Sequence, residues 1–459
     1  MTEIKETLER ELKLCPGPEF ELPELGGEVI EPRVFDSTYH DTRDHRLARH
    51  GVTLRHRIEN RKGLWQLKLP QELARLELEL KGTPAAPPDE LLSLLPAYLR
   101  GEPLVPLARL RTRRTGIRAQ GAEIVLDTVT VIDRADGTRS FDELEVELLE
   151  GDEKALRRIE RALRRAGAGD GENRPKIFQA LDLAFERDDP VEPTGNSPGA
   201  TLCRELRRQY ERLLAHDPGV RLGTDSEELH QFRVATRRSR AFLRAGRELI
   251  DPEWSERLRG ELRWLGGELG PGRDLDVLIE RLQTEVETLG DDAGAGRALV
   301  EVLERDRGTL REQLTEALES ERYFALLDLL EQPPPLVDAD VTLKQVQRSE
   351  HRKLQKAVRG LAADAPDEQL HETRIKVKRA RYAAELRGDM SYVKAAKVLQ
   401  DVLGEHQDAV VAQERLRSLG VREPAAALPA GRLIDRERQR AEDRRAAWRA
   451  AWKRVAAAA

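Results

Sequence analysis

The stretch "ERELKL", Glu9 to Leu14, alternates charge with hydrocarbon. In an extended strand successive side chains point to opposite faces, so Glu9, Glu11 and Lys13 share one face while Leu12 and Leu14 take the other. A face of two carboxylates and an ammonium is turned either to water or inward onto a ligand. The strands that follow decide between the two.

Period-two runs recur in "GVTLRHRI" (51–58), "LWQLKL" (64–69), "RLELELK" (75–81), "AEIVLDTVTVI" (122–132) and "FDELEVELLE" (141–150), with turn residues between them. Their charged positions keep one parity: Arg55 and Arg57, Gln66 and Lys68, Arg75, Glu77 and Glu79, Arg111 and Arg113 of "RLRTRR", and Glu143, Glu145 and Glu147. One such strand alone reads as an ordinary amphipathic strand with its charged side in water. Seven of them, acid interleaved with base, favour a closed lumen. Carboxylates in a lumen can hold Mg²⁺ or Mn²⁺, Arg and Lys can grip phosphate oxygens, and the metal can activate water for attack on phosphorus. Two helical patterns, "PDELLSLLPAYL" (88–99) and "DEKALRRIERALRRAG" (152–167), interrupt the strands and make this part α+β.

The segment "DDPVEPTGNSPGA" (188–200) gathers Pro, Gly, Ser and Asn without periodicity and reads as a linker. It divides a first domain, 1–187, from a second, 201–455. In the second, Leu, Ala, Arg and Glu recur at helical spacing, with breaks expected at "GPG" (270–272), "GDDAGAG" (290–296) and "QPPPLVDAD" (332–340). An internal repeat sets "HQFRVATRRSR" (230–240) against "HETRIKVKRAR" (371–381), and "LGPGRDLDVLIERL" (269–282) against "LGEHQDAVVAQERL" (403–416). At 100° per residue, His230, Arg233, Arg237, Arg240 and Arg244 fall within an arc of about 80°, with Phe232, Ala235, Phe242 and Leu243 opposite. Like charges four apart cost roughly 0.2 to 0.5 kcal/mol per pair in an isolated helix, so a bound anion or nearby carboxylates must offset them. A single cationic stripe is usually a solvated face, but a stripe repeated with the same His and Arg offsets is a site. The second copy keeps Arg374, Lys378 and Arg381 and places Glu385 where Arg244 stands.

Composition bounds the rest. The 459 residues carry a net charge of -6, with 39% hydrophobic and 35% charged residues, so any polyanion must be held by local clusters. A mean hydropathy of -0.61, no long apolar run and no leader-like start give the expectation of a soluble, cytoplasmic protein. Cys15 and Cys203 lack any CxxC spacing, which argues against a disulfide framework or a cysteine zinc site. Two lone histidines make no metal site either. With only 4% aromatic residues the cationic helices lack stacking platforms, which argues against nucleic acid.

Residues 1–187 resemble the CYTH domain of the triphosphate tunnel metalloenzymes through Glu9-x-Glu11-x-Lys13 and through Tyr39, Asp41, Thr42, Leu47, Leu54, Arg55 and Arg57 of "STYHDTRDHRLARHGVTLRHR". His40 stands where that family usually has an aromatic residue. The resemblance implies an eight-stranded antiparallel β tunnel barrel with flanking helices. It implies divalent metal on Glu9, Glu11, Glu145 and Glu147 with Asp127 close by, and Glu77 and Glu79 near a second metal. Triphosphate falls to Lys13, Arg55, Arg57, Lys68, Arg111 and Arg113, with Lys176 of "RPKIFQAL" as a further basic residue and Arg114 competing with Arg113. Residues 201–455 resemble a CHAD domain, the conserved-histidine α-helical domain, through His230, Arg233, Arg237, Arg238 and Arg240, and through His371, Arg374, Lys378, Arg379, Arg381 and Tyr382. This implies two pseudo-symmetric four-helix bundles around a basic pocket for inorganic polyphosphate. Together the resemblances imply a metal-dependent inorganic triphosphatase, yielding pyrophosphate and phosphate, joined to a polyphosphate-binding domain. An adenylate cyclase, a thiamine triphosphatase and a polyphosphate binder without catalysis are the alternatives.

Overall fold

In the computed structural model the run that opens at Lys5 is two strands, β1 (Lys5–Glu9) and β2 (Glu11–Pro16), broken at Arg10. The other strands are β3 (Glu28–Asp41), β4 (Thr53–Glu59), β5 (Lys62–Pro70), β6 (Arg75–Lys81), β7 (Val105–Ala119), β8 (Ala122–Ile132), β9 (Arg139–Leu148) and β10 (Ala168–Asp170). They form one antiparallel sheet in the order β1-β6-β5-β4-β3-β7-β8-β9-β2-β10. β1 pairs with β6, and β2 with β9. One short covalent segment thus pairs with both edges of the seven-stranded ribbon between them, which rolls the sheet around a lumen. The expected eight strands become ten: the opening run counts twice because it changes partner at Arg10, and β10 adds a short strand on β2. The structure describes residues 4–18, 20–71, 74–132, 139–171, 174–182, 195–362 and 364–459.

Parity sorts the two faces of the sheet. Leu144 and Val146 of β9, with Leu14, Ala122 and Ile124, lie under Ile159 and Leu163 of α4 (Glu153–Arg165). Glu145 and Glu147, on the other parity, face inward. Asp152 caps α4 by accepting from the backbone N–H groups of Lys154 and Ala155. At one end of the lumen the inward parity turns apolar: Ala108, Leu110, Val129 and Val131 pack with Ile177 and Phe178 of α5 (Lys176–Leu181). The stretch 88–99 folds as two single turns, α2 (Asp89–Leu92) and α3 (Pro96–Leu99). A further turn, α1 (Arg46–Arg49), follows β3, where Asp41 accepts from the backbone N–H groups of Thr42, Leu47 and Ala48. That network accounts for the aspartate of the Tyr39-x-Asp41-Thr42 pattern.

The chain divides into two compact units, Met1–Asp189 and Pro190–Ala459. Residues 188–194 of the expected linker lie outside the described residues. The second unit is helical: α6 (Pro198–Leu222), α7 (Ser226–Ala245), α8 (Pro252–Val286), α9 (Ala293–Glu319), α10 (Glu321–Glu331), α11 (Leu343–Arg359), α12 (Asp367–Arg387), α13 (Met390–Arg422) and α14 (Ala427–Ala457). Ser197, Asp225, Asp251 and Asp389 each accept a backbone N–H at a helix start, and Thr342 and Gln345 form a capping box on α11. The break expected at "GPG" is absent, since α8 runs through Pro271. Buried Leu269 and Leu275 anchor the helix on either side of the proline. The break at Gly290 is present, with φ +65 turning the chain from α8 into α9.

The helices do not separate into two self-contained four-helix bundles. α13 gives Leu399 and Leu403 to a core shared with α11, α12 and the end of α14. Its later residues Leu416 and Leu419 enter another core, with Leu278 and Leu282 of α8, Leu299 and Leu303 of α9, and Leu433 of α14. α6 packs on α7, α7 on α8, and α10 on α6 and α8. At about 1.5 Å per residue the longest helices reach roughly 50 Å, longer than one bundle, so each serves more than one core. Among the described residues no helix is long and apolar enough to cross a membrane.

Candidate active site and anion-binding cluster

The lumen of the sheet is a cavity of about 260 Å³ lined from nine strands and the start of α5. Nine Lys and Arg and seven Glu line it, which leaves its wall net positive. Lys13, Arg114, Lys176 and Arg55 are held in two ways. Asp127 and Glu143, 0% and 1% exposed, share the inward parity and lie beneath the lining cations as buried counter-charges. Asp127 accepts from Nε and Nη2 of Arg114 at 2.7 Å each and from Nζ of Lys176 at 2.5 Å. Glu143 lies 3.2 Å from Lys13 and 3.1 Å from Lys176. Although burial opposes it, the charges of Lys176 and Arg114 hold the Asp127 carboxyl below its ordinary range. Arg55 is held by neutral partners instead, donating to Gln66 at 2.8 Å and to the Tyr39 hydroxyl at 3.1 Å. It has no carboxylate partner among the described residues, whereas Arg57, which lies over the Phe35 ring at 3.8 Å, is paired with Glu59.

The carboxylates face one another across neighbouring strands. Glu123 of β8 stands opposite Glu147 of β9, and Glu147 opposite Glu11 of β2. Like charges directly opposite destabilise a sheet unless a cation lies between them. Arg33 lies 3.5 Å from Glu123 and Arg75 lies 3.1 Å from Glu11. Glu147 has no ion-pair partner among the described residues, and burial, with the neighbouring Glu123, pushes its carboxyl up although Lys68 opposes. Glu9 is raised as well, by burial and by sharing a hydrogen bond with Glu77, while Lys68 sits 2.5 Å from Glu9 and 3.1 Å from Glu77.

In the second unit α7 packs against α12. Nε of Arg237 donates to the Tyr382 hydroxyl at 2.8 Å. Arg233 reaches Asp274 of α8 at 2.9 Å, and Asp408 of α13, the position aligned with Asp274, acts on Arg374. Burial, then repulsion from Arg374, Arg237 and Arg233, pulls the Lys378 ammonium down to about 7. Burial and the guanidinium of Arg273 lower His230. Nδ1 of His371 and Nε of Arg374 are buried without a hydrogen-bond partner. The helices therefore bring four cations together with two aspartates set to the side.

Family models match this chain as a CYTH domain over residues 7–172 and a CHAD domain over residues 204–417. The chain is a CYTH-CHAD fusion protein. An uncharacterized protein of Mycobacterium tuberculosis strain CDC 1551 is 31% identical over 435 residues, covering 83% of this chain and 81% of the relative. The crystal structure of the CHAD domain from the plant Ricinus communis is 28% identical and covers 56% of this chain and 91% of that one, with a TM-score of 0.48. A putative adenylyl cyclase from Hippeastrum, described as revealing a dominant triphosphatase activity, is 19% identical and covers 39% of this chain and 99% of that one, with a TM-score of 0.26.

Within the CYTH domain the lumen gathers Glu9, Glu11, Lys13, Arg55, Arg57, Lys68, Glu77, Glu79, Glu145, Glu147 and Lys176. It does not gather Arg111 or Arg113. Both are exposed, and Arg111 pairs with Asp36 at 2.9 Å on the outer face. The inward parity on β7 is Ala108, Leu110, Thr112 and Arg114, because Leu110 belongs to the apolar plug. Asp127 has the inward parity but is spent on Arg114 and Lys176. Among the described residues no three His, Cys, Asp or Glu side chains are grouped as a metal site, since Glu9, Glu11 and Glu145 are each turned onto a cation. The donors suit a hard divalent cation all the same: all are carboxylate oxygens, and the row through Glu147 gathers like charge that a cation would offset. Sequence reasoning missed Glu123 and Arg33, which line the lumen, and Asp274 and Asp408 in the CHAD domain, and of the competing Arg113 and Arg114 it is Arg114 that lines the lumen. Glu123 shares strand parity with Asp127 four residues on. The aspartates were in view too, inside the second pair of aligned repeats.

Proposed function

We propose that the CYTH domain is a metal-dependent inorganic triphosphatase, splitting triphosphate into pyrophosphate and phosphate, and that the CHAD domain binds inorganic polyphosphate. The observation that carries this reading is the division of the lumen wall. Carboxylates of Glu11, Glu123 and Glu147 stand opposite one another on β2, β8 and β9, while the cations that line the same cavity come from β1, β3 to β7 and α5, with Lys13 alone from β2. Glu9, Glu11, Glu145 and Glu147 would hold Mg²⁺ or Mn²⁺, which when bound polarises phosphate oxygens and lowers the pKa of a bound water.

This chain's own residues bind and orient. Arg55, held only by neutral partners, has its charge available for phosphate oxygens. Lys13, Arg114 and Lys176 are fixed from beneath by Asp127 and Glu143, so their geometry is set before substrate arrives. Positioning and charge neutralisation supply most of the catalysis in phosphoryl transfer. The apolar plug around Leu110 and Phe178 closes one end of the lumen to water.

Phosphate release from triphosphate, with Mg²⁺ or Mn²⁺ and with EDTA, is the test, run beside ATP with cyclic AMP as the product assayed. Release that needs metal and is lost in Glu147→Gln is the expected result. Cyclic AMP from ATP with no release from triphosphate would make the protein a cyclase.

A further inference from the structure

The two halves of the CHAD repeat differ at one end of their cationic helices. Carried back from Leu269 and Leu403, the match of α8 to α13 keeps buried positions in step: Leu258 with Tyr392, Leu262 with Ala396 and Leu265 with Leu399. It sets Arg259 against Val393 and Gly267 against Asp401, while Arg244 already stands against Glu385. At each of the three positions the second half has one cation fewer or one carboxylate more.

The contacts follow the sequence. In the second half Glu385 lies 3.0 Å from Arg238 and 3.7 Å from Arg381, and Asp401 lies in the field of Arg381 and Lys397. In the first half Arg244 faces Arg379, Arg259 and Arg247, with Glu350 as the opposing charge, and Glu350 is itself held by Lys353 at 2.6 Å. Nε of Arg244 is buried without a partner. Arg240 faces Arg263 and Arg259, and its Nη1 lies beside the open backbone of Gly266 on α8. Arg259 pairs with Glu256. Among the described residues Arg240, Arg244, Arg263 and Arg379 have no ion-pair partner. Unpaired like charges held this close raise the energy of the empty protein, and a bound polyanion offsets them.

Building on the polyphosphate reading of the central cluster, we infer that the CHAD anion site is lopsided. It continues along α7 from Arg233 and Arg237 onto Arg240, Arg244, Arg263 and Arg379, and is blocked on the other side by Glu385 and Asp401. A linear polyphosphate then runs out over the first repeat. Arg237 and Arg244 are about 10 Å apart along the helix axis, so a short polyphosphate fills the central cluster and only a longer one engages the extension.

The test compares tripolyphosphate with polyphosphate of tens of units, titrated against the full chain at one salt concentration in EDTA, so that hydrolysis does not intervene and any binding in the CYTH lumen is common to all variants. Arg244→Glu, and separately the exposed Arg263→Glu, should each lower the ratio of long-chain to short-chain affinity about tenfold, whereas Glu385→Arg should raise it. A ratio within twofold of wild type in both Arg244→Glu and Arg263→Glu, or a fall in Glu385→Arg, overturns the lopsided site. If instead long chains bind the Arg233→Ala, Arg237→Ala double variant as tightly as wild type, the polyphosphate reading itself fails.

Discussion

Lys378 holds its ammonium inside a wall of guanidinium groups, and the proton it carries there is bound weakly. Burial and the charges of Arg374, Arg237 and Arg233 bring it down to about 7, so near neutral pH about half the molecules lack that charge. A polyanion reverses the repulsion and raises the pKa, so binding takes up a proton and affinity falls as pH rises above 7. The slope is at most about tenfold per pH unit for one coupled proton. Calorimetry in buffers of different ionisation enthalpy, from pH 6 to 8.5, should show the uptake, and Lys378→Arg should remove it. An unchanged profile in that variant would assign the pH dependence to phosphate ionisation. Without ligand the sign is opposite: the unfolded chain binds the proton more tightly, so this group makes the protein more stable as pH rises from 7 toward 10.5. The sequence placed Lys378 in the site but said nothing of its proton, because burial and the approach of α7 to α12 are tertiary facts.

At the level of elements, some of what sequence reasoning missed was nevertheless written locally. β7 and β8 are joined by Gln120 and Gly121, at φ 54 and 76, the turn that favours a two-residue hairpin. Such a turn fixes register, and counting back from it sets Arg114 opposite Asp127. Parity counted from charge alone chose Arg111 and Arg113, since nothing local says that Leu110 belongs to a plug inside the lumen. The change of partner at Arg10, which rolls the sheet, depends on strands far along the chain and has no local signal. Pro271 is the reverse case, a strong local signal that packing overrides. α8 keeps its course through a residue with no N–H to offer Gly267, while α13 has Glu405 at the aligned position. Replacing Pro271 with Ala restores that hydrogen bond and removes the ring, worth up to about 3 kcal/mol. Urea denaturation should show a CHAD domain more stable by 1 to 3 kcal/mol, on that same rough scale. A loss of stability would mean that the Leu269 and Leu275 contacts require the bend a proline imposes.

Taken as a whole, the chain is acidic at -6 yet holds two places where cations outnumber carboxylates, so total charge is a poor guide to what it binds. The CHAD duplication was legible because both copies spell the same His and Arg offsets, and the tunnel because several strands repeat one charged parity. What sequence could not give was which charges neutralise one another, such as Glu385 with Arg238. The two places also differ in kind. The CYTH lumen sets carboxylates opposite one another, as Glu11 and Glu147 are, whereas the α7 and α12 cluster gathers cations with Asp274 and Asp408 at its margin. Only the first has the donors to recruit metal, so hydrolysis and polyphosphate binding should come apart in the intact protein. Glu11→Gln should cut metal-dependent triphosphate hydrolysis at least about a hundredfold, since metal supplies several kcal/mol of charge stabilisation, and leave long-chain polyphosphate affinity within a factor of about two. Arg233→Ala with Arg237→Ala should do the reverse. The two activities assayed on one preparation of each variant decide the matter: if the double arginine variant loses hydrolysis as well as binding, the helical cluster takes part in the reaction and the division of labour is wrong.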